Sequence, residues 1–141
     1  MRFMMFMYPH ISEKDWQPSA EDLAAMTQYN LALRDAGILL ALDGLRPPSD
    51  GASVVFEGRE PRVVDGPFAE TKEVVGGYWI IQARSTEEAV EWAKRCPGVN
   101  CRVELRPIAE LDDLPGEIQE VYDRSLHIGV EDSPAAGADA A

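Results

Sequence analysis

The chain has 141 residues, 45% of them hydrophobic, and 13 Lys and Arg against 25 Asp and Glu give it a formal charge of −12. That length and composition point to one globular domain with one core. Residues 110–141 hold nine of the acids and one base, Arg124, and the absence of a basic stripe argues against nucleic-acid binding through phosphates.

The apolar start Met1–Tyr8 is too short for a signal peptide, lacks a small-residue cleavage site and stops at Pro9-His10. No run approaches a membrane span, so no membrane partner is expected. Cys96 and Cys101 are separated by Pro-Gly-Val-Asn with no histidine nearby, which is a poor metal signature. With no export signal they read as free thiols in a reducing cytoplasm. No phosphate-cradling glycine loop, GxSxG elbow or HExxH pair occurs, and no cofactor is implied.

In chain order, residues 2–8 read as a strand apolar on both faces, and residues 11–18 as a polar loop broken by Pro18. Ser19 can cap a helix with Glu21 and Asp22 in its first turn. Leu23, Met26, Asn30 and Leu33 form its stripe, and Gly37 ends it. Residues 38–42 form a second strand apolar on both faces, closed by Asp43-Gly44, and Pro47-Pro48 rules out further regular structure. Residues 53–57 and 62–65 flank Gly58-Arg59-Glu60-Pro61 as a small hairpin. Residues 77–83 form the third main strand. Ser85 and Glu88 make a capping box for a second helix, with Ala89, Trp92, Ala93 and Cys96 on its stripe and Pro97-Gly98 as its stop. Residues 102–107 alternate as a strand with Val103 and Leu105 inward. A short acidic helix is expected within residues 114–126 of an acidic extension, 109–128, and the Ala/Gly/Asp/Pro-rich residues 129–141 read as a disordered tail.

This order gives an α+β chain of ferredoxin-like split βαβ topology over residues 1–108, with an inserted hairpin. Helices cover one face of such a sheet. Three strands apolar on both faces call for cover on the second face too, and a second copy of the sheet would supply it. Periodicity therefore predicts a homodimer.

The stretch Asp65-Gly66-Pro67-Phe68-Ala69-Glu70-Thr71-Lys72-Glu73 concentrates charge between apolar strands, where a scaffold can present chemistry to a ligand. Gly66 and Pro67 make a turn, and Asp65 either closes it through backbone N–H groups or acts on a ligand. Turn chemistry leaves Glu70, Lys72 and Glu73 unexplained. DGPFAETKE followed by GGYWII resembles the YCII-related family in its DGPF-type branch. Met26-Thr27-Gln28-Tyr29-Asn30, Leu42-Asp43-Gly44-Leu45-Arg46-Pro47-Pro48 and Glu91-Trp92-Ala93-Lys94-Arg95-Cys96-Pro97 fit the same pattern. The resemblance implies a ferredoxin-like fold of the dimeric α/β-barrel type. It also implies a role beside extracytoplasmic-function sigma factors as the alternative to small-molecule chemistry. In the wider family a helix-one histidine with an acid partner is proposed as an acid–base dyad. Here Met26 falls at the histidine's place, and Asp35 remains.

Candidate acid–base residues are therefore Asp65, Glu70, Glu73 and His10, the last with an intrinsic pKa suited to neutral pH. Candidate ligand-binding residues are Tyr8, Tyr29, Asp43, Phe68, Lys72 and Tyr78. Two functions follow from these residues: an enzyme using carboxylates in a half-apolar pocket, or a non-catalytic binding or regulatory protein. The ligand is a small molecule in the first case.

Overall fold

The computed structural model describes residues 1–65, the side chain of Asp65 excepted, and residues 73–122. They fall into two compact units, Met1–Ile108 and a second beginning at Ala109. The first contains strands β1 (Arg2–Tyr8), β2 (Leu39–Gly44), β3 (Ala52–Glu57), β4 (Glu60–Asp65), β5 (Gly77–Gln82) and β6 (Arg102–Pro107), with helices α1 (Ala20–Asp35) and α2 (Thr86–Ala93). The main sheet runs β2-β5-β1-β6 with every neighbour antiparallel. Two βα units interleaved in this way give the ferredoxin-like arrangement.

Both helices start where short polar side chains satisfy the free N–H groups of the first turn. Ser19 and Asp22 form a reciprocal capping box on α1, and Gly37 leaves it at φ 70°. On α2 the box is displaced: Ser85 Oγ accepts from Glu88 N at 3.2 Å, while the Glu88 carboxylate accepts from Arg84 N at 2.6 Å. Regular helix stops at Ala93, three residues before Cys96, and Arg95 N and Cys96 N donate to carbonyls three residues back. Cys96 still packs against the core.

Alternation decides what each strand buries. Phe3 and Met5 of β1, Trp79 and Ile81 of β5, Tyr29 and Leu33 of α1 and Ala89 of α2 form one buried cluster, edged by Met7, Met26, Leu39, Leu42, Trp92, Val103 and Leu105. The helices thus cover one face. Met4, Phe6 and Tyr8, with Ile80 and Tyr78 opposite them or nearby, carry the other face and are only half-buried. Ala41 pairs with Ile80 after a register shift between Leu39 and Ala41, which turns Leu40 out to 46% exposure.

Strand β2 runs two residues further than its hydrophobic run suggests, because Asp43 and Gly44 pair with Tyr78 and Gly77. Asp43 is a strand residue rather than the start of a turn. A separate two-stranded sheet pairs β3 with β4. Its connection is only Gly58-Arg59, and Pro61 stands opposite Phe56 within the ribbon. Proline is tolerated there because both strands of such a ribbon are edges, and Gly58 supplies the positive φ, 63°.

In the second unit a 3₁₀ turn, Leu111–Asp113, is closed by Glu110 N donating to Asp113 Oδ2 at 2.7 Å. Residues 116–122 are helical. The expected remainder of that helix, to residue 126, and the tail lie outside the described residues, as do Phe68, Glu70 and Lys72.

Candidate functional site

The strands β1 and β2 end, and β5 and β6 begin, at one end of the sheet. There a cavity of about 520 Å³ opens. Its sheet wall is Met7, Leu42 and Trp79, its helix wall is Leu23, Met26 and Asn30 of α1, and residues of the loop before α1 such as Trp16, of the 43–45 and 76–78 segments and of the 97–101 turn complete it. The size and the apolar, aromatic walls suit a small organic ligand.

Local chemistry fixes these walls. Trp79 Nε1 donates to Asn30 Oδ1 at 2.8 Å, which satisfies a buried indole and orients the amide. Trp16 Nε1 donates to Leu45 O at 2.9 Å, and Ser49 N donates to Glu13 Oε1 at 2.7 Å. Together these tie the loop before α1 to the segment after β2. Gly76 lies so close to Pro9 that a Cβ would meet the ring at 2.9 Å, and Gly76 N donates to Met7 O at 2.8 Å. Only glycine allows that approach.

A second constellation occupies the other face at the same end. Arg102 stacks on Tyr8, its guanidinium carbon 4.2 Å from the ring centroid. Arg102 also holds the Glu73 carboxylate through two N–H groups, Nε at 3.0 Å and Nη2. His10 Nε2 lies 3.5 Å from Glu73 Oε1. Tyr8 Oη donates to Glu104 Oε2 at 3.1 Å, and Arg102 Nη1 lies 3.7 Å from Glu104 Oε1. The hydrogen bonds from Arg102 hold the Glu73 carboxyl below the usual carboxylate range. Burial, with the Glu104 acceptor behind it, raises the Tyr8 phenol. His10 takes φ 54°, uncommon outside glycine, in making this contact.

The expected site residues thus divide among several places. His10, Glu73 and Tyr8 meet in the ionic constellation. Tyr78 and Asp43 pair with each other, Oη to Oδ2 at 3.0 Å, and both belong to the cavity where β2 and β5 meet. That hydrogen bond raises the Tyr78 phenol. Tyr29 sits 5% exposed in the core, edge-on to Trp79 with ring centroids 5.8 Å apart, and its hydroxyl donates to Trp92 O at 3.0 Å. It does not line the cavity. Asp65 closes β4, and its side chain falls outside the described residues.

Sequence reasoning overlooked Arg102, Glu104, Trp16 and Asn30. Arg102 and Glu104 were legible only as the outward positions of an alternating strand, which ordinarily face water. Trp16 stood in a polar loop with no periodicity to mark it. Met26 lines the cavity, whereas Asp35 is exposed and pairs with Arg34 at 3.0 Å. Among the described residues no group of three or more His, Cys, Asp or Glu could hold a metal, and no helix is long and apolar enough to cross a membrane. Cys96 and Cys101 are free thiols.

The family model of the YCII-related domain matches residues 1–112, which takes in all of the sheet, both helices and the cavity. The chain is also similar to the uncharacterized protein R00369 of Rhizobium meliloti (strain 1021), at 36% identity over 110 residues that span 76% of this chain and 85% of that one. Fold and sequence agree, and the chain belongs to the YCII-related family.

Proposed function

We propose that this chain is a small-molecule-binding protein of the DGPF-type branch, working as a homodimer of the α/β-barrel type, with the β3–β4 ribbon as an insertion. The observation that carries the binding role is the cavity of about 520 Å³ walled by Trp16, Leu23, Met26, Leu42 and Trp79. Those walls are held by hydrogen bonds at both indoles, so the site is preformed and a ligand spends little affinity on ordering it. The dimer is supported by the half-buried apolar residues Met4, Phe6 and Ile80 on the sheet face that the helices leave open.

A second reading, an enzyme with carboxylate acid–base chemistry, is favoured by one contact. Glu73 and His10 form a carboxylate–imidazole pair at 3.5 Å, and Arg102 fixes the carboxylate. A carboxylate–imidazole pair is a recurrent acid–base device. Asp65, Glu70 and Lys72 are proposed to take part in that chemistry.

The test is a thermal-shift screen of small amphiphilic metabolites against wild type and Leu23→Trp. Leu23 is 54% exposed and lines the cavity, so a larger side chain there blocks the site without repacking the core. Hits should disappear in Leu23→Trp. Hits that persist unchanged in the variant would show that ligands bind elsewhere.

A further inference from the structure

We infer that the cavity selects a positively charged amphiphile, an organic ammonium with an apolar body, over neutral and anionic analogues. The inference rests on the binding role proposed above and adds the ligand's charge to it. Among the described residues three side chains that line the cavity are ionisable carboxylates, Asp15, Asp22 and Asp43, and none is Lys, Arg or His.

Each of these carboxylates is engaged by a neutral donor. Asp15 Oδ2 accepts from Ser12 Oγ at 2.6 Å, Asp22 Oδ2 from Ser19 Oγ at 2.7 Å, and Asp43 Oδ2 from Tyr78 Oη at 3.0 Å. A hydroxyl donor orients a carboxylate without cancelling its charge, so the full negative charge stays at the site. Lys14 and Arg46 stand next to lining residues in sequence but do not line the cavity themselves; Arg46 pairs with Asp50 at 3.0 Å, and Arg102 pairs with Glu73. Two indoles, Trp16 and Trp79, line the same space, and indole is the aromatic group that best accommodates a cation. A carboxylate or phosphate ligand would enter against three like charges, with no base among the described lining residues to receive it. An ammonium meets attraction from both the acids and the rings, while its apolar part covers Met7, Leu23, Met26 and Leu42.

The experiment compares three probes of nearly equal shape, 3-phenylpropylammonium, 3-phenylpropan-1-ol and 3-phenylpropanoate, by NMR titration of the full chain. The indole N–H signals of Trp16 and Trp79 report the cavity, and that of Trp92, which does not line it, serves as the internal control. The ammonium should shift the first two and bind roughly fivefold tighter than the alcohol, with the carboxylate weakest. The preference should shrink at about 1 M salt, where the screening length is roughly 3 Å. It should shrink also in the Asp15→Asn, Asp43→Asn double variant, which keeps acceptor oxygens for Ser12 and Tyr78. Equal or tighter binding of the alcohol or the carboxylate at the same two indoles would overturn the inference while leaving the cavity a binding site. If no probe moves either indole, the binding role itself falls, and the inference with it.

Discussion

Tyr29 separates a structural role from a ligand-binding one, and its surroundings allow the difference to be worked out. The side chain is 5% exposed, meets Trp79 edge-on and donates to Trp92 O at 3.0 Å. Tyr29→Phe removes the hydroxyl alone. Trp92 O still receives Lys94 N and Arg95 N at the end of α2, so the carbonyl is not orphaned. The loss should fall at the lower end of the usual ~0.5–1.5 kcal/mol for one hydrogen bond. For a domain of this size that is a drop of a few degrees in Tm, given ~4–8 °C per kcal/mol. Tyr29→Ala also forfeits the ring and its pairing with Trp79, for about 3–5 kcal/mol, a large share of a small domain's stability. Urea unfolding followed by tryptophan fluorescence gives both values, with an unchanged m confirming that the native state is intact. Ligand hits found with wild type should persist in Tyr29→Phe. A Phe variant as stable as wild type that has lost those hits would refute the core assignment and return Tyr29 to the binding site.

Burial pushes the Cys96 thiol up from 9.0 to about 11, and burial raises the Tyr29 phenol as well. The unfolded chain therefore loses the Cys96 proton first, so this thiol's contribution to stability should be constant below about pH 9 and fall as pH rises toward about 11. Cys96→Ala should flatten that decline in urea titrations at stepped pH, and an unchanged slope would contradict it. Wild type should run as a dimer by light scattering, burying on the order of 1,600 Å², and Phe6→Glu should convert it to a folded monomer. A monomeric wild type at micromolar concentration would sink the proposed assembly. Arg102→Leu should return the Glu73 carboxyl toward its ordinary 4.5, read by carboxyl carbon NMR, and no movement would mean that Arg102 does not hold it.

Most of the fold was legible because its signals are local. Ser19 with Asp22, and Gly37, mark the ends of α1 through groups a few residues apart. The stripe through Ala89 and Trp92 placed α2 on the core. Where the reading slipped, a distant partner had overridden a local preference. Asp43-Gly44 looks like a turn until Tyr78 and Gly77 pair with it. The Glu88 carboxylate reached Arg84 N rather than its own cap. Tyr29 looked like a pocket residue because its partners, Trp79 and Trp92, lie 50 and 63 residues further along the chain. The cavity was the least legible part. Its walls come from a polar loop, a helix and three strands, and only the fold brings them together.

The same geometry explains why sequence reasoning drew one pocket where the structure has two groupings. Adjacent residues of a strand face opposite ways. At the end of β1, Met7 lines the cavity while Tyr8 carries Arg102 on the other face. In β2 and β5, Leu42 and Trp79 belong to the helix-covered face, and their neighbours Asp43 and Tyr78 pair with each other. In β6, Val103 packs on the core while Arg102 and Glu104 hold the ionic constellation. Along β1 and β6, residues one apart in sequence therefore belong to different chemistry, whereas in β2 and β5 both neighbours, Leu42 with Asp43 and Tyr78 with Trp79, line the cavity where the two strands meet. The two sides remain mechanically joined, because tilting the end of β1 moves Met7 and Tyr8 together. Gly76 strengthens the joint: its N–H donates to Met7 O, its carbonyl accepts from Leu45 N at 2.9 Å, and it lies three residues from Glu73. A ligand that spreads the cavity walls would therefore pull on the Tyr8, Arg102 and Glu73 contacts, and cover over the ionic face would in turn stiffen the cavity. If a second subunit supplies that cover, assembly and ligand affinity are linked through these strand ends, and each should change the other by the same factor.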